Sequence, residues 1–143
     1  MYKIIKKELL APNIYRMDIA APRVACSAKP GQFIILRLDE KGERIPLTIA
    51  DYDAAEGWVT IVTQTVGYST TKLCAMNPGD ELADFAGPLG RPSDFVHEDI
   101  ETLRSRKILF IAGGVGTAPV YPQVKWLSQH GIKADVIIGA KNK

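Results

Sequence analysis

The sequence of 143 residues predicts a mainly β domain followed by the opening of an α/β domain. Two patterns lead to this prediction. Over roughly the first ninety residues, short stretches that alternate polar and apolar residues are separated by turn-forming residues, which is typical of an antiparallel barrel or sandwich. After Arg106, a continuous apolar run, a glycine-rich turn and an amphipathic stretch indicate a strand–helix–strand unit whose parallel strands are buried on both faces.

Six strands and one short helix are predicted in the first region. The strands cover residues 2–10, 13–19, 32–38, 45–52, 58–66 and 81–85. The helix is predicted over residues 69–76, because hydroxyl side chains can cap its first turn and a proline and a glycine stop it near residue 78. The segment 53–57 has the composition of a hairpin loop between the fourth and fifth strands.

The second region begins after a strong break at residues 87–92 and divides the chain into predicted domains 1–98 and 99–143. A helix is predicted over 97–105. The strand–helix–strand unit then covers 107–112, 118–130 and 134–138. A single unit of this kind makes only part of an α/β sheet and leaves an exposed strand edge. We therefore expect an incomplete domain, whose missing strands lie in a longer protein or are supplied by a partner.

Composition narrows the class of function. The formal net charge is +2, with both signs interleaved, which gives no basic surface for nucleic acid. No apolar run reaches the roughly 18 residues that span a bilayer, and no secretory signal is recognisable, so we expect a cytoplasmic location. Two distant cysteines and two histidines predict neither a disulfide framework nor a metal site. No side chain is in a sequence setting typical of a catalytic acid, base or nucleophile.

Three turns have residues suited to binding an anion. Gly113, Gly114, Val115, Gly116 and Thr117 lie between a buried strand and a helix, although their spacing is neither the usual Rossmann fingerprint nor a P-loop. Ser69, Thr70 and Thr71 open the predicted short helix. Arg44 can pair with a phosphate, and Thr48 can hydrogen-bond a heterocycle. Taken singly, each is also compatible with a tight turn, a helix cap, a solvated arginine or an ordinary strand threonine.

The order of these motifs along the chain resembles the ferredoxin–NADP reductase superfamily. The motifs are Gly31-Gln32-Phe33, Arg44-Ile45-Pro46-Leu47-Thr48-Ile49, Gly87-Pro88-Leu89-Gly90 and Gly113-Gly114-Val115-Gly116-Thr117-Ala118-Pro119. The likeness spans essentially the whole chain. It is to the branch that contains the dihydroorotate dehydrogenase electron-transfer subunit, the sulfide dehydrogenase beta subunit and the small subunit of NADH-dependent ferredoxin:NADP oxidoreductase. It implies an antiparallel Greek-key FAD-binding β-barrel and the first βαβ unit of an NAD(P)-binding domain.

The resemblance also implies a set of cofactor-binding residues. Around the flavin, Thr48 would face the N5 edge, with Pro46 and Leu47 near the ring. The backbone of Val62, Thr63 and Gln64 would contact flavin and ribose, while Ser69, Thr70 and Thr71 would hold phosphate. The glycine turn, Gly113 to Thr117, would bind the nicotinamide nucleotide. The phosphate-binding arginine of the wider family aligns with Ile45. Arg44, one residue earlier, is also assigned to the site.

Electron transfer is the function that the resemblance implies. NAD(P)H, either NADH or NADPH, would reduce FAD, which would pass electrons singly to an iron–sulfur or catalytic partner subunit. Proteins of this branch carry a 2Fe-2S centre in a further C-terminal part, so we expect that centre only there or in a partner. The alternative is a flavin-binding or assembly module without turnover of its own. Self-association through the incomplete sheet is expected as well.

Overall fold

The computed structural model describes residues 2–142 and confirms a barrel followed by a strand–helix–strand unit. Met1 and Lys143, the outer limits of the two predicted domains, lie outside the described residues. Between residues 2 and 142, no helix has the length and apolar character needed to cross a membrane.

Seven antiparallel strands form the barrel. They are β1 (Tyr2–Ala11), β2 (Ile14–Ala20), β3 (Phe33–Arg37), β4 (Ile45–Asp53), β5 (Trp58–Gln64), β6 (Glu81–Leu82) and β7 (Asp84–Leu89). The spatial order is β6-β1-β2-β5-β4-β3-β7. Because only Ala83 separates β6 from β7, the two ends of the sheet meet and the barrel is nearly closed.

The last barrel strand differs from the prediction. The stretch predicted as one strand over 81–85 divides at Ala83, and β7 continues through Gly87 and Pro88, where we expected a break. The β3–β7 register shifts between Phe33 and Ile35, which indicates a bulge opposite this proline. A proline is tolerated there because β7 ends the sheet order and a bulge needs fewer ladder hydrogen bonds.

Two helices accompany the barrel. Helix α1 (Pro22–Ser27) was not predicted; Pro22 occupies its first turn, where the missing N–H has no intrahelical partner to lose. Helix α2 (Tyr68–Ala75) follows β5 and matches the predicted short helix to within one residue at each end. The barrel core contains apolar side chains from all seven strands together with Leu73 of α2 and Val24 of α1, so both helices close its surface.

The strand–helix–strand unit contains α3 (Ile100–Arg104), β8 (Ile108–Gly113), α4 (Tyr121–Gln129) and β9 (Ala134–Gly139), with β8 and β9 parallel. Its core is small and centres on Leu103, Leu127 and Ile132. The prediction that both strands are buried on both faces is wrong for this structure: Ile111 and Ile137 are 74% and 55% exposed. The reason is that α3 and α4 supply side chains to one face only, so the other face of the two-stranded sheet is open to solvent.

Candidate functional site

Strand β4 displays its side chains alternately inside and outside the barrel. Ile45 and Ile49 are buried in the core, whereas Pro46 and Thr48 are exposed on the outer surface. Arg44, which precedes the strand, is exposed as well. Position 45, to which the family's arginine aligns, therefore points into the core, and the arginine one residue earlier is the one available outside. The Leu47 side chain packs against the barrel core, although the residue still lines an outer pocket.

A gap opens between β4 and β5 beside these outer residues. The β4–β5 ladder ends at the Ile49–Ile61 pair. Beyond it, β4 pairs only with β3, through residues 45–48, and β5 pairs only with β2, through residues 62–64. The Thr65 N–H donates to the Asn13 carbonyl on the β2 side, so the strand alternation turns the peptide groups of Gln64 toward the gap. The splayed strands thus present backbone hydrogen-bonding groups to whatever occupies the gap.

Pro46 is compatible with this arrangement. The Ile49 N–H donates to the Gln32 carbonyl on the β3 side, so the peptide nitrogens of Thr48 and Pro46, one and three residues earlier, point the other way. The nitrogen of Pro46 therefore faces the gap, where no neighbouring strand needs a donor. The proline keeps its place in β4 without breaking the pairing with β3 and puts an apolar ring on the outer surface.

The start of α2 lies across the gap from Arg44. The first helical bond of α2 runs from the Thr71 N–H to the Gly67 carbonyl, which leaves the N–H groups of residues 68–70 without intrahelical acceptors. The Thr70 hydroxyl accepts from the N–H groups of Val66 and Gly67, each at 3.0 Å, and so holds the turn in shape. This end of the helix carries the positive end of the helix dipole, which favours an anion.

Two adjacent pockets follow the outer face of β4. One, of about 280 Å³, is lined by residues 43–46 of β4 and its approach and by residues 66–70 at the start of α2. The other, of about 310 Å³, is lined by Gly31, Phe33, Pro46, Leu47 and Thr48. Because Pro46 lines both, the two form one elongated cleft from Thr48 to the α2 turn. The structure therefore brings Arg44, Pro46, Thr48, Ser69 and Thr70 to one cleft.

The other predicted residues of this site differ in their exposure to solvent. Gln64 is exposed at the end of β5, whereas Thr63 is buried and Val62 is half-buried beside a separate pocket near Tyr121. Thr71 is exposed on the first turn of α2, beyond the residues that line the cleft.

Near the α2 turn, neighbouring side chains hold Lys72 and Glu43 but not Arg44. The Lys72 ammonium donates a hydrogen bond to a carboxylate oxygen of Asp39 at 3.1 Å. This bond lowers the pKa of Asp39 and raises the pKa of Lys72. The Ser69 hydroxyl donates to the Glu43 carboxylate. None of the ion pairs found within residues 2–142 involves Arg44. Its guanidinium is therefore available to a bound anion.

Sequence reasoning missed several residues that line the cleft. Glu43 is one of them, and its carboxylate must release the Ser69 hydroxyl before that hydroxyl can turn to a phosphate. Gly31 and Phe33 are others, and their signal was visible in the Gly31-Gln32-Phe33 motif. Gly31 has a φ of +89°, and the Gln32 amide is held by the carbonyl of Gly90, so this turn is rigid at the far end of the cleft.

The glycine turn is at the carboxyl end of β8. Gly113 ends the strand, and Gly114–Thr117 form a single 3-10 turn in which Gly114 has a φ of +55°. A Cβ at Gly114 or Gly116 would meet nothing within 4 Å, so these backbones are open to an incoming ligand. Helix α4 begins only at Tyr121, later than the predicted residue 118, because Pro122 occupies its first turn. The turn is thus separated from the helix N-terminus by residues 118–120.

Comparison with known proteins agrees with this fold and these motifs, although no family model matches the chain. A Clostridium beijerinckii protein, described only by its position in the adh 3′ region, is 66% identical over 143 residues, 100% of this chain and 48% of that protein. A Thermotoga maritima homolog of the dihydroorotate dehydrogenase B (NAD(+)) electron transfer subunit is 40% identical over 141 residues, 99% of this chain and 48% of its own length. The chain spans about half the length of the curated relatives it matches.

Solved structures show the same likeness. The NADH-dependent reduced ferredoxin–NADP oxidoreductase, studied for flavin-based electron bifurcation, matches with a TM-score of 0.89 and 38% identity over 100% of this chain and 49% of that one. Phthalate dioxygenase reductase matches with a TM-score of 0.76 over 99% of this chain and 43% of that one, but at 16% identity it shows the fold alone. By its fold and its sequence relatives, the chain resembles the ferredoxin–NADP reductase superfamily.

Proposed function

We propose that this chain is the flavin-binding part of an electron-transfer subunit that passes electrons from NADH or NADPH through FAD to an iron–sulfur partner. The observation that carries the proposal is the cleft along β4, with its splayed strand edge, an unpaired arginine and a helix N-terminus at one end. These are the groups needed to hold a flat heterocycle at one end and a pyrophosphate at the other. Relatives named as electron transfer subunits support the same function.

Each side of the cleft has its own part in binding FAD. The N–H groups of residues 68–70 and the Arg44 guanidinium would hold the phosphates. The Thr48 hydroxyl and the peptide groups of Gln64 would orient the polar edges of the heterocycle, with Pro46 against its apolar surface. When bound, FAD supplies the chemistry that couples two-electron transfer from NAD(P)H to one-electron transfer to an iron–sulfur centre. Val62, Thr63 and Thr71 belong to the proposed site as supporting residues around this cleft.

The nicotinamide nucleotide is assigned to the glycine turn of the second unit. Gly113, Gly114, Val115, Gly116 and Thr117 follow a parallel strand at its carboxyl end, which is where nucleotides bind in α/β sheets. The open space around Gly114 and Gly116 allows the close backbone approach that a phosphate requires. Either NADH or NADPH can be the electron donor in this proposal.

A domain boundary between residues 98 and 99 is part of this proposal. Asp99 caps α3, since its carboxylate accepts the Thr102 N–H at 3.0 Å, and β7 ends at Leu89. The segment between them carries one short 3-10 turn, Asp94–His97, and connects the FAD part to the nucleotide part. We further propose a cytoplasmic location, together with a catalytic or iron–sulfur partner subunit that carries any 2Fe-2S centre.

Titration with FAD tests the binding site. Ser69→Glu places a negative charge at the α2 turn, and we expect FAD affinity to fall by roughly tenfold or more. Ser69→Gln is the matched control, because it has almost the same size without the charge. An acidic residue at a helix N-terminus favours the helix itself, so weaker binding would not reflect loss of the fold. Equal FAD affinity in the two variants would remove the α2 turn from the site.

Reduction of bound flavin by NADH separates the proposed function from the binding-module alternative. A subunit that transfers electrons should show saturable bleaching of the flavin absorbance as NADH is increased. A module without turnover should bind FAD with the same affinity and show no saturable dependence on NADH. Bleaching by dithionite is the control, since it requires no nucleotide site.

A further inference from the structure

A β-bulge in β4 turns two consecutive residues toward the second unit. The β4–β5 register shifts between Ile49 and Asp51, so Ala50 is the extra residue of the bulge. Ala50 and Asp51 both line a pocket of about 190 Å³ that Ala118 and Tyr121 border from the other side. In a regular strand, neighbouring side chains point to opposite faces. The bulge thus allows a charged residue of the flavin strand to reach the nucleotide unit.

Lys125 of α4 makes the contact from the nucleotide unit, across the seam between β4 and α4. Its ammonium lies 2.7 Å from a carboxylate oxygen of Asp51 and 3.5 Å from the Tyr52 carbonyl. The same Asp51 oxygen also accepts the Tyr52 N–H at 2.9 Å. Asp51 is only 8% exposed, so its charge is largely removed from water and depends on these donors.

A second polar contact joins the same two parts. The hydroxyl of Ser93, in the connection after β7, donates to the side-chain oxygen of Gln123 at 2.9 Å. Gln123 lies two residues before Lys125 on α4, so the helix contacts the flavin part through two of its side chains. The other polar groups at the seam satisfy each other, since Thr60 and Arg16 both donate to Asp18. These contacts therefore hold α4 against the flavin part.

We propose that Asp51 and Lys125 are a positioning pair that sets the glycine turn relative to the flavin strand. This inference rests on the function proposed above. Asp51 lies three residues after Thr48 on β4, and Lys125 lies eight residues after Thr117, so one ion pair is close in sequence to both proposed cofactor sites. Removing the lysine leaves the largely buried Asp51 carboxylate without its ion-pair partner, and removing either charge frees α4 to shift. Hydride transfer is sensitive to displacements of about 1 Å.

The test compares four single substitutions and one double variant in the full 143-residue chain. Lys125→Met and Asp51→Asn each remove one charge, and the double variant reports their coupling. Lys107→Met removes an exposed lysine of the same unit as a control. Lys125→Arg keeps the charge and should restore most of the wild-type behaviour.

Hydrogen exchange in the flavin-free chain gives a readout that needs no cofactor. We expect amides in α4 and in residues 113–117 to exchange roughly tenfold faster in Lys125→Met and Asp51→Asn, with β5 unchanged. The double variant should exchange no faster than either single variant. Unchanged exchange in α4 would overturn the positioning role. This outcome does not depend on whether the chain binds FAD, so it is separate from a failure of the proposed function.

Flavin reduction then separates positioning from a merely structural role. In the FAD-loaded chain, we expect NADH bleaching to slow by about tenfold in Lys125→Met, with FAD affinity and dithionite bleaching unchanged. An equal slowing of NADH and dithionite reactions, or a loss of FAD affinity, would show that the pair supports the barrel and would overturn the proposal. Absence of flavin binding in the wild-type chain would contradict the proposed function. The hydrogen-exchange result would still show whether Asp51 and Lys125 position α4.

Discussion

The barrel and the strand–helix–strand unit contain similar aliphatic residues but bury them very differently. Ile61 of β5 and Ile137 of β9 are both isoleucines near the middle of a strand, yet the first is completely buried and the second is 55% exposed. The barrel closes around its own side chains, with α1 and α2 covering its surface. In the second unit, helices pack on one face of only two strands. Burial here is set by closure of the sheet and by the layers on it, more than by residue type.

The same difference distinguishes the two proposed sites. The cleft along β4 is built on strands whose inner faces form the main core, so its geometry is supported from beneath. The glycine turn is carried by a unit with a small core, and its place relative to the cleft depends on polar contacts such as Lys125 with Asp51. We therefore expect the cleft to be preformed and the glycine turn to be the more adjustable of the two.

The largest expected effect comes from one substitution made in both regions. Ile61→Ala should lower the free energy of unfolding by about 2–5 kcal/mol, because it leaves a cavity in the closed core. Ile137→Ala removes the same atoms from a half-solvated position and should cost less than about 0.5 kcal/mol. Urea unfolding measures both values. Equal losses would mean that β9 is covered in solution and would end the contrast between the regions.

A pair of glycines probes the turns of the two sites. Gly31→Ala should cost about 2–4 kcal/mol, because φ is +89° and the new Cβ would lie 2.5 Å from the Ser93 hydroxyl oxygen. Gly114→Ala has only the backbone penalty of a φ of +55°, with nothing within 4 Å, and should cost about 1 kcal/mol. Thermal unfolding followed by circular dichroism checks the order. A greater loss at Gly114 would show that the glycine turn packs against other residues.

The open face of β8 and β9 should promote self-association at high protein concentration. Leu109, Ile111 and Ile137 lie on this face and are all more than half exposed, and contiguous apolar surface of this kind favours protein contacts. Light scattering over a concentration series should show an apparent mass that rises with concentration, and Ile111→Lys should reduce the rise. Lys141→Ala, which changes an exposed polar position, is the control. A constant monomeric mass in the wild-type chain would contradict this prediction.

The smallest expected effect concerns two thiols on the barrel side. Cys74 on α2 is buried, and burial raises the pKa of its thiol, whereas Cys26 is exposed. Alkylation requires the thiolate, so Cys26 should react roughly tenfold faster or more at neutral pH. Raising the pH should accelerate the reaction of Cys74, because its raised pKa means that a higher pH is needed to form its thiolate. Mass spectrometry of labelled peptides measures the ratio. Similar rates in the folded chain would show that α2 opens readily from the barrel.

Local patterns predicted most elements, and the failures have identifiable causes. The predicted strands of the barrel are present because alternation with turn residues is a strong local signal. The division of residues 81–85 into two strands was missed because barrel closure, which involves distant pairing, decides it. For the cleft, sequence likeness indicated Thr48 and the α2 turn. It did not indicate Glu43, whose role depends on a contact 26 residues along the chain.

The sequence by itself determined the class of fold, the order of its elements and the three turns suited to anions, because alternation, glycines and helix caps act over a few residues. Only the tertiary structure decided which face of β4 is outside, where β4 and β5 separate, and which strands are left uncovered. These outcomes depend on pairing and packing between segments far apart in the chain. Arg44 shows the difference: alignment favours position 45, but the core takes Ile45 and leaves the arginine at the cleft.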